Sequence, residues 1–444
     1  MGVVLGRVAI IHAVVGAQLI LSGCIEDELI DGVFTPAEWK KIESYSPVPS
    51  QPQSPTNRYA DDQAVAVFGQ RMFFEKRYSG PITNAWPDAE GNVGESGKYA
   101  CVSCHDPKHW FIDTRSSNRL STGAANLTKR NSPSMVNIAY YVWGGWGGAQ
   151  DQFWKQGANA PESKDMNGDR LAVAHVVYDY YRDEYNALFG AQTGVLDPAL
   201  AADAPDAARF PPRGKPKAST GDPDQAWEMM RPEDREIVNT IMANVGKAFE
   251  AYERRLVSRN APFDRYVERD FGALTTSAKR GLKLFVGKAG CGSCHETETF
   301  TDQRFHNTAV PQAMPYDQGR YDDVVRLMND FNGSGKYSDD RAAGAMKLEG
   351  ILQTMDLRGE FRTKSLRQVA ETGPYFHNGS MNTLEDVIRH YNKGGVDEGF
   401  PGAKDPLLVP LNLTEGEILD IVEFLKSLTG EPVAEELTRD ISAH

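Results

Sequence analysis

Apolar residues recur along this chain at helical spacing. The stretches 61–74, 171–189 and 232–255 each carry apolar positions three and four apart, the pattern of a helix with one buried face. Between Leu384 and Tyr391 the repeat is plainest. Leu384, Val387, Ile388 and Tyr391 fall at i, i+3, i+4 and i+7, so Tyr391 reads by spacing as a core tyrosine. A last helix opens at Thr414-Glu-Gly-Glu417, a capping box, and stops at Gly430. These elements predict a mainly α protein.

Other stretches break the pattern. Residues 1–24 place a single Arg7 in front of an apolar run of about the length of a signal-sequence core, too short for a confident spanning helix. Leu21-Ser-Gly-Cys24 resembles the lipobox of bacterial lipoproteins, which makes Cys24 the expected lipid anchor of an exported, periplasmic protein. An ordinary cleaved signal, with Cys24 incidental, is the alternative. Residues 25–59 are acidic and then rich in proline, serine and glutamine, as in Ser46–Pro55, and read as a tether. Residues 191–226 are rich in alanine, aspartate and proline and read as a surface insertion. Trp143, Trp146 and Trp154 stand among glycines between Asn126 and Gly157, as a loop packed on flat groups would. His175, alone on its helix, reads as a core or surface residue rather than a ligand.

The chemistry lies in a pentapeptide that occurs twice. Cys101-Val-Ser-Cys104-His105 returns as Cys291-Gly-Ser-Cys294-His295, and C-x-x-C-H is the attachment signal of c-type haem. Thiols three apart add to the vinyl groups along one porphyrin edge, and the next histidine reaches the iron. A redox C-x-x-C needs no following histidine, and a zinc site needs its four ligands grouped, so both alternatives explain less. Of the 5 cysteines, four go to haem and the fifth is Cys24, which leaves none for a disulfide. A shared Gly-x-x-[Leu/Met]-Phe precedes each motif, at Gly69–Phe73 and Gly281–Phe285. Two related cytochrome domains follow as the expectation, residues 60–257 and 258–444, each with one covalently bound haem. The 444 residues and 40% hydrophobic content accommodate both. The net charge of −13 argues against nucleic acid and against a polybasic membrane contact, and it suits a basic redox partner.

Both motifs, together with Arg130-Asn-Ser-Pro-Ser-Met-Val-Asn137, the Trp146 to Gln156 stretch and Thr372-Gly-Pro-Tyr-Phe-His-Asn-Gly379, stand in the order found in bacterial dihaem cytochrome c peroxidases. Over most of residues 60–430 the chain resembles the MauG-like branch of that family. The insertion at 191–226 and the run Arg304–Pro311 look closest to MbnH-like enzymes, which modify a tryptophan on a partner protein.

The resemblance implies a peroxidatic first haem on His105 and a second haem, on His295, that stores or relays the oxidising equivalent. Fourteen residues after His377, ordinary members place a methionine that ligates the second iron; here Tyr391 stands there, as in MauG, with Met381 and Met355 as competing ligands. A phenolate stabilises higher oxidation states. Lys129 replaces the histidine that plugs the first haem of members needing reductive activation, which implies a site open to peroxide while ferric. A solvated lysine would leave it equally open. Trp146, ten residues before Gln156, matches the tryptophan that carries charge between the haems. Gln156 and an acidic residue belong to the peroxide pocket. The family's Glu-Met becomes Asp165-Met166, so Asp165 is the candidate acid-base group and Glu162 the reserve, against the bland reading of a solvated turn. A calcium ion between the domains is implied at Asn137, Thr372 and Pro374.

The function implied is that of a dihaem peroxidase in which hydrogen peroxide forms a high-valent dihaem state that oxidises a partner protein, at a tryptophan, by long-range electron transfer. An ordinary peroxidase supplied by a small cytochrome, and a dihaem electron carrier, are the other two readings. A methionine at 391 would favour the first, and a histidine plug at 129 either; this chain has neither.

Overall fold

The computed structural model describes residues 1–2, 29–116, 120–217 and 226–442. The signal and lipobox, including Cys24, lie outside them. Among the described residues no helix is long and apolar enough to cross a membrane.

The chain is mainly helical. Its principal helices are α1 Pro36–Glu43, α2 Gln63–Phe74, α3 Phe153–Asn159, α4 Arg170–Thr193, α5 Pro232–Glu253, α6 Thr276–Val286, α7 Leu384–Asn392 and α8 Glu415–Lys426. The expected helices at 61–74, 171–189 and 232–255 are therefore present as α2, α4 and α5. The Thr414/Glu417 capping box opens α8, each side chain bonding the other residue's backbone N–H. A two-residue strand, β1 Phe305–His306, pairs antiparallel with β2 Phe361–Arg362.

Two hydrophobic clusters form. One gathers the buried faces of α2, α3, α4 and α5, the other those of α1, α6, α7 and α8. The repeated glycine explains how each is closed. A Cβ on Gly69 of α2 would collide with the carbonyl of Ala248 on α5, and one on Gly281 of α6 with the carbonyl of Asp420 on α8. Each haem motif thus follows a helix that crosses its partner at backbone contact. Gly281→Ala is expected to destabilise the folded protein by about 1–3 kcal/mol through overpacking, read as a lower thermal midpoint.

Two expectations about chain organisation are corrected. Residues 25–59 are not a tether where they are described. A capping box at Thr35/Glu38 opens α1, and Phe34, Trp39, Ile42 and Tyr45 are buried in the second cluster, Tyr45 stacked on Phe300 at 5.0 Å. The proline-rich run beyond it is tied along α5: Arg254 Nη1 donates to the Pro52 carbonyl (2.8 Å), Ser54 Oγ to Glu250 (2.6 Å) and Asn57 Nδ2 to the Lys247 carbonyl (3.0 Å). The C-terminal tail makes the opposite exchange. Leu437 is buried in the first cluster, and its carbonyl accepts from the Tyr252 hydroxyl at 2.6 Å. The two packed units are therefore not the contiguous stretches 60–257 and 258–444.

The stretch 191–226 is likewise partly core, since Leu200 and Phe210 are buried in the first cluster. Of the three tryptophans expected in a loop, Trp154 sits on α3, buried, its Nε1 donating to Thr56 Oγ1 at 3.1 Å. The His175 ring nitrogens face the Leu200 and Pro211 carbonyls, each at 3.0 Å, as in a packed histidine.

Candidate functional site

Each C-x-x-C-H motif forms a short 3-10 turn, at Cys101–Ser103 and Cys291–Ser293. In each, the following histidine bonds a backbone carbonyl through Nδ1: His105 to Phe111 at 3.0 Å and His295 to Phe300 at 2.9 Å. That bond fixes the ring and its tautomer, leaving Nε2 as the ligand atom. Burial lowers the pKa of both imidazoles, so both are neutral, as iron ligation requires.

Beside the second motif opens a cavity of about 440 Å³. Cys291, Cys294 and His295 line it, and so do Leu384, Val387, Ile388 and Tyr391. The α7 stripe read from the sequence is real: Leu384 and Ile388 join the second cluster, and the stripe also lines this cavity. Burial pushes the Tyr391 phenol well above its ordinary pKa, with the nearby cysteines adding to the shift. Neither Met381 nor Met355 lines the cavity, and Met355 is 62% exposed.

Trp146 lines the same cavity. Its Nε1 donates to the Asn131 carbonyl at 2.7 Å, and the Asn131 N–H donates to the His377 carbonyl at 2.7 Å, so the tryptophan loop is tied to the Tyr375–Met381 turn. The loop also reaches the first motif, because Pro133 borders the His105 ring. Trp146 therefore stands in the segment that joins the two motifs.

Around the first motif the acidic candidates separate. Glu162 is buried and held by both its oxygens, Oε1 accepting from Arg170 Nε and Oε2 from Nη2, each at 2.6 Å. It is committed to structure. Asp165 forms no ion pair among the described residues; burial raises its pKa, against weaker lowering by Asn126, Arg326 and Ser163. It lies close enough to Cys104 to act on that thiol's titration. Gln156 is exposed on α3, whose Trp154, Gly157 and Ala158 are buried against α5. Lys129 turns outward, bonding Asp322 at 2.9 Å and lying 3.2 Å from Asp317, while Arg130 forks onto Asp317 at 2.6 and 2.9 Å.

At the expected calcium residues, Asn137 Oδ1 accepts from the Ser258 N–H and its Nδ2 donates to the Ser258 carbonyl, both at 3.0 Å. Asn131 Nδ2 donates to the Pro374 carbonyl at 2.6 Å, and the Thr372 hydroxyl donates to the Val369 carbonyl.

Residues 63–210 match the family model described as di-haem cytochrome c peroxidase. The chain is 30% identical over 398 residues to cytochrome-c peroxidase IdrP1 of Denitromonas iodatirespirans, which covers 88% of this chain and 87% of that one. The chain belongs to the di-haem cytochrome c peroxidase family. It is 28% identical over 373 residues to the methylamine utilization protein MauG of Methylorubrum extorquens, across 83% of this chain and 79% of that protein. The fold is similar to that of a MauG-like protein associated with microbial copper homeostasis, with a TM-score of 0.61 at 23% identity, covering 89% of this chain and 98% of that one. The diheme peroxidase BthA from Burkholderia thailandensis aligns with a TM-score of 0.55 at 22% identity, over 84% and 87% of the two chains.

For a di-haem peroxidase the cavity has the right chemistry. Two thiols, a neutral imidazole held through Nδ1, an apolar wall from α7 and a phenol fit a covalent c-type haem with a tyrosine available to the iron. Buried Arg362 and half-buried Lys364 line it as well, without carboxylate partners among the described residues. Sequence reading passed over both.

Proposed function

We propose that this enzyme is a MauG-like peroxidase that takes hydrogen peroxide as oxidant and draws electrons from a partner protein, at a tryptophan side chain. The observation that supports it is Tyr391 in the wall of the second cavity, where a methionine would suit an ordinary peroxidase. When bound, the haems supply the iron centres that take up peroxide and hold oxidising equivalents. The chain's own residues do the rest. His105 and His295 present Nε2, each held by one carbonyl. Asp165 accepts a proton from peroxide and returns it to the distal oxygen, which leaves as water, while Gln156 belongs to the same pocket. Two electrons and two protons convert one peroxide to two waters. Trp146 relays charge between the motifs. Covalent anchoring leaves little room for a bulky partner residue to reach the iron, so the electrons cross the protein surface by hopping.

A calcium ion joins this reading through Asn137, Thr372 and Pro374. The side-chain oxygen of Asn137 and two backbone carbonyls, completed by water, are hard oxygen donors. Export to the periplasm, with a lipid anchor on Cys24, completes the proposal. Covalent haem attachment of this kind belongs to that side of the membrane.

The test is the visible and near-infrared spectrum of the ferric protein before and after one equivalent of hydrogen peroxide. A mixed high-spin and low-spin start, then a rapid Soret change and a new near-infrared band, is expected. Reactivity only after half-reduction would instead make it an ordinary cytochrome c peroxidase, the reading favoured by its 30% identity to IdrP1. An enzyme inert in both states would be an electron carrier.

A further inference from the structure

The cavity that adjoins the second motif is lined by Arg362 and Lys364, neither of which has a carboxylate partner among the described residues. Arg362, on β2, is 4% exposed, and its Nε and Nη1 have no hydrogen-bond partner. Its guanidinium carbon lies 3.6 Å from the centroid of the Tyr141 ring. Lys364, two residues on, puts Nζ 4.6 Å from the Trp146 ring centroid and 5.4 Å from that of Tyr141. Both line the cavity, and among the described residues neither forms an ion pair. Two other buried arginines are matched by carboxylates, Arg367 forking onto Asp264 at 2.7 and 2.9 Å and Arg170 onto Glu162, while buried Arg320 donates to the Gly147 and Gly148 carbonyls.

A buried cation without a counter-ion is strongly destabilising, and aromatic faces offset only part of that. Two such cations side by side also repel. The arrangement is complete only with anions in the cavity. Carboxylates entering the pocket bounded by His295, Trp146 and Tyr391 would supply the missing charge.

We propose that Arg362 and Lys364 bind propionate carboxylates of haem at this cavity, Arg362 as a fork and Lys364 as a point charge. This rests on the haem reading above. It also gives Lys364 a function in charge transfer. Its ammonium over the Trp146 face opposes positive charge on the indole, and a carboxylate on Lys364 removes that opposition. The two residues are positioning and tuning groups, since they touch the cofactor's edge rather than the reacting atoms.

The experiment uses the full-length holoprotein with Lys364→Met, Arg362→Met and the charge-keeping pair Lys364→Arg and Arg362→Lys. Haem content, midpoint potentials by spectroelectrochemical titration, and the propionate bending bands in resonance Raman are read. With two haems retained, each Met variant is expected to lower the ferrous-to-ferric ratio of a haem at fixed potential about tenfold, a fall of about 59 mV for a one-electron couple. The bending bands shift with it, and the charge-keeping variants return the potential. If a Met variant loses haem, Arg362→Lys still shifts the bending band, because it keeps the charge and loses the fork. Two haems with unchanged potentials and bands overturn the assignment. An unaltered protein without covalent haem would bring down the haem reading first, and the assignment with it.

Discussion

Tyr391→His is expected to leave two haems covalently attached and to abolish peroxide-driven oxidation of the partner protein. The cysteines and histidines of both motifs are untouched by the change. What changes is the donor that α7 offers to the second cavity. Axial-ligand identity moves haem potential over a range of about 0.8 V, and a hard phenolate sits at the oxidised end. Exchange for a neutral imidazole raises the potential of the second haem, which then accepts an electron from mild reductants and no longer stabilises the oxidised state. Electron paramagnetic resonance of the ferric protein, with the near-infrared spectrum after peroxide, checks this. An unchanged ligand signature and an unchanged band would remove Tyr391 from the site.

Asp165→Asn is expected to slow the reaction with peroxide by about 10²–10⁴-fold, the range for a positioned acid-base group, while both haem potentials stay as they were. An amide fills the same space and makes similar hydrogen bonds but cannot carry the proton between the peroxide oxygens. Asp165→Glu restores much of the rate, since it supplies the carboxyl on a longer arm. The pH profile separates this role from a structural one. Burial raises the Asp165 pKa, so the carboxylate that accepts the proton disappears on acidification at a higher pH than for an ordinary aspartate. The rate of peroxide reaction therefore rises with pH through that raised value, and the limb vanishes in Asp165→Asn. Stopped-flow rates across the acid range supply the measurement. Glu162→Gln serves as the contrast: it breaks the buried fork with Arg170 and lowers thermal stability without removing the limb.

Much of the site was legible in residues close in the chain. The haem motifs, the helices that precede them and the α7 stripe follow from spacings of three and four, which a helix or turn converts directly into one face. Asp165 and Glu162, three residues apart, could not be told apart in this way. Their environments differ because Arg170, the first residue of α4, takes up Glu162 and leaves Asp165 without an ion pair among the described residues. The proline-rich stretch misled for a related reason. Composition shows that Ser46–Pro55 cannot form a core, but not that α5 offers it carbonyls and side chains to bond.

Local chemistry alone settles that this chain carries two haem attachment signals and folds mainly as helices, because cysteine spacing and apolar periodicity act within a turn or two of the chain. Contacts between distant segments decide the rest. They turn Tyr391 toward a cavity, bring residues 34–45 and Leu437 each to the far cluster, and leave Arg362 and Lys364 without counter-ions among the described residues. Each of those outcomes depends on what lies across a packed interface, and the free energy of burying a polar group is set by that neighbour rather than by the residue itself.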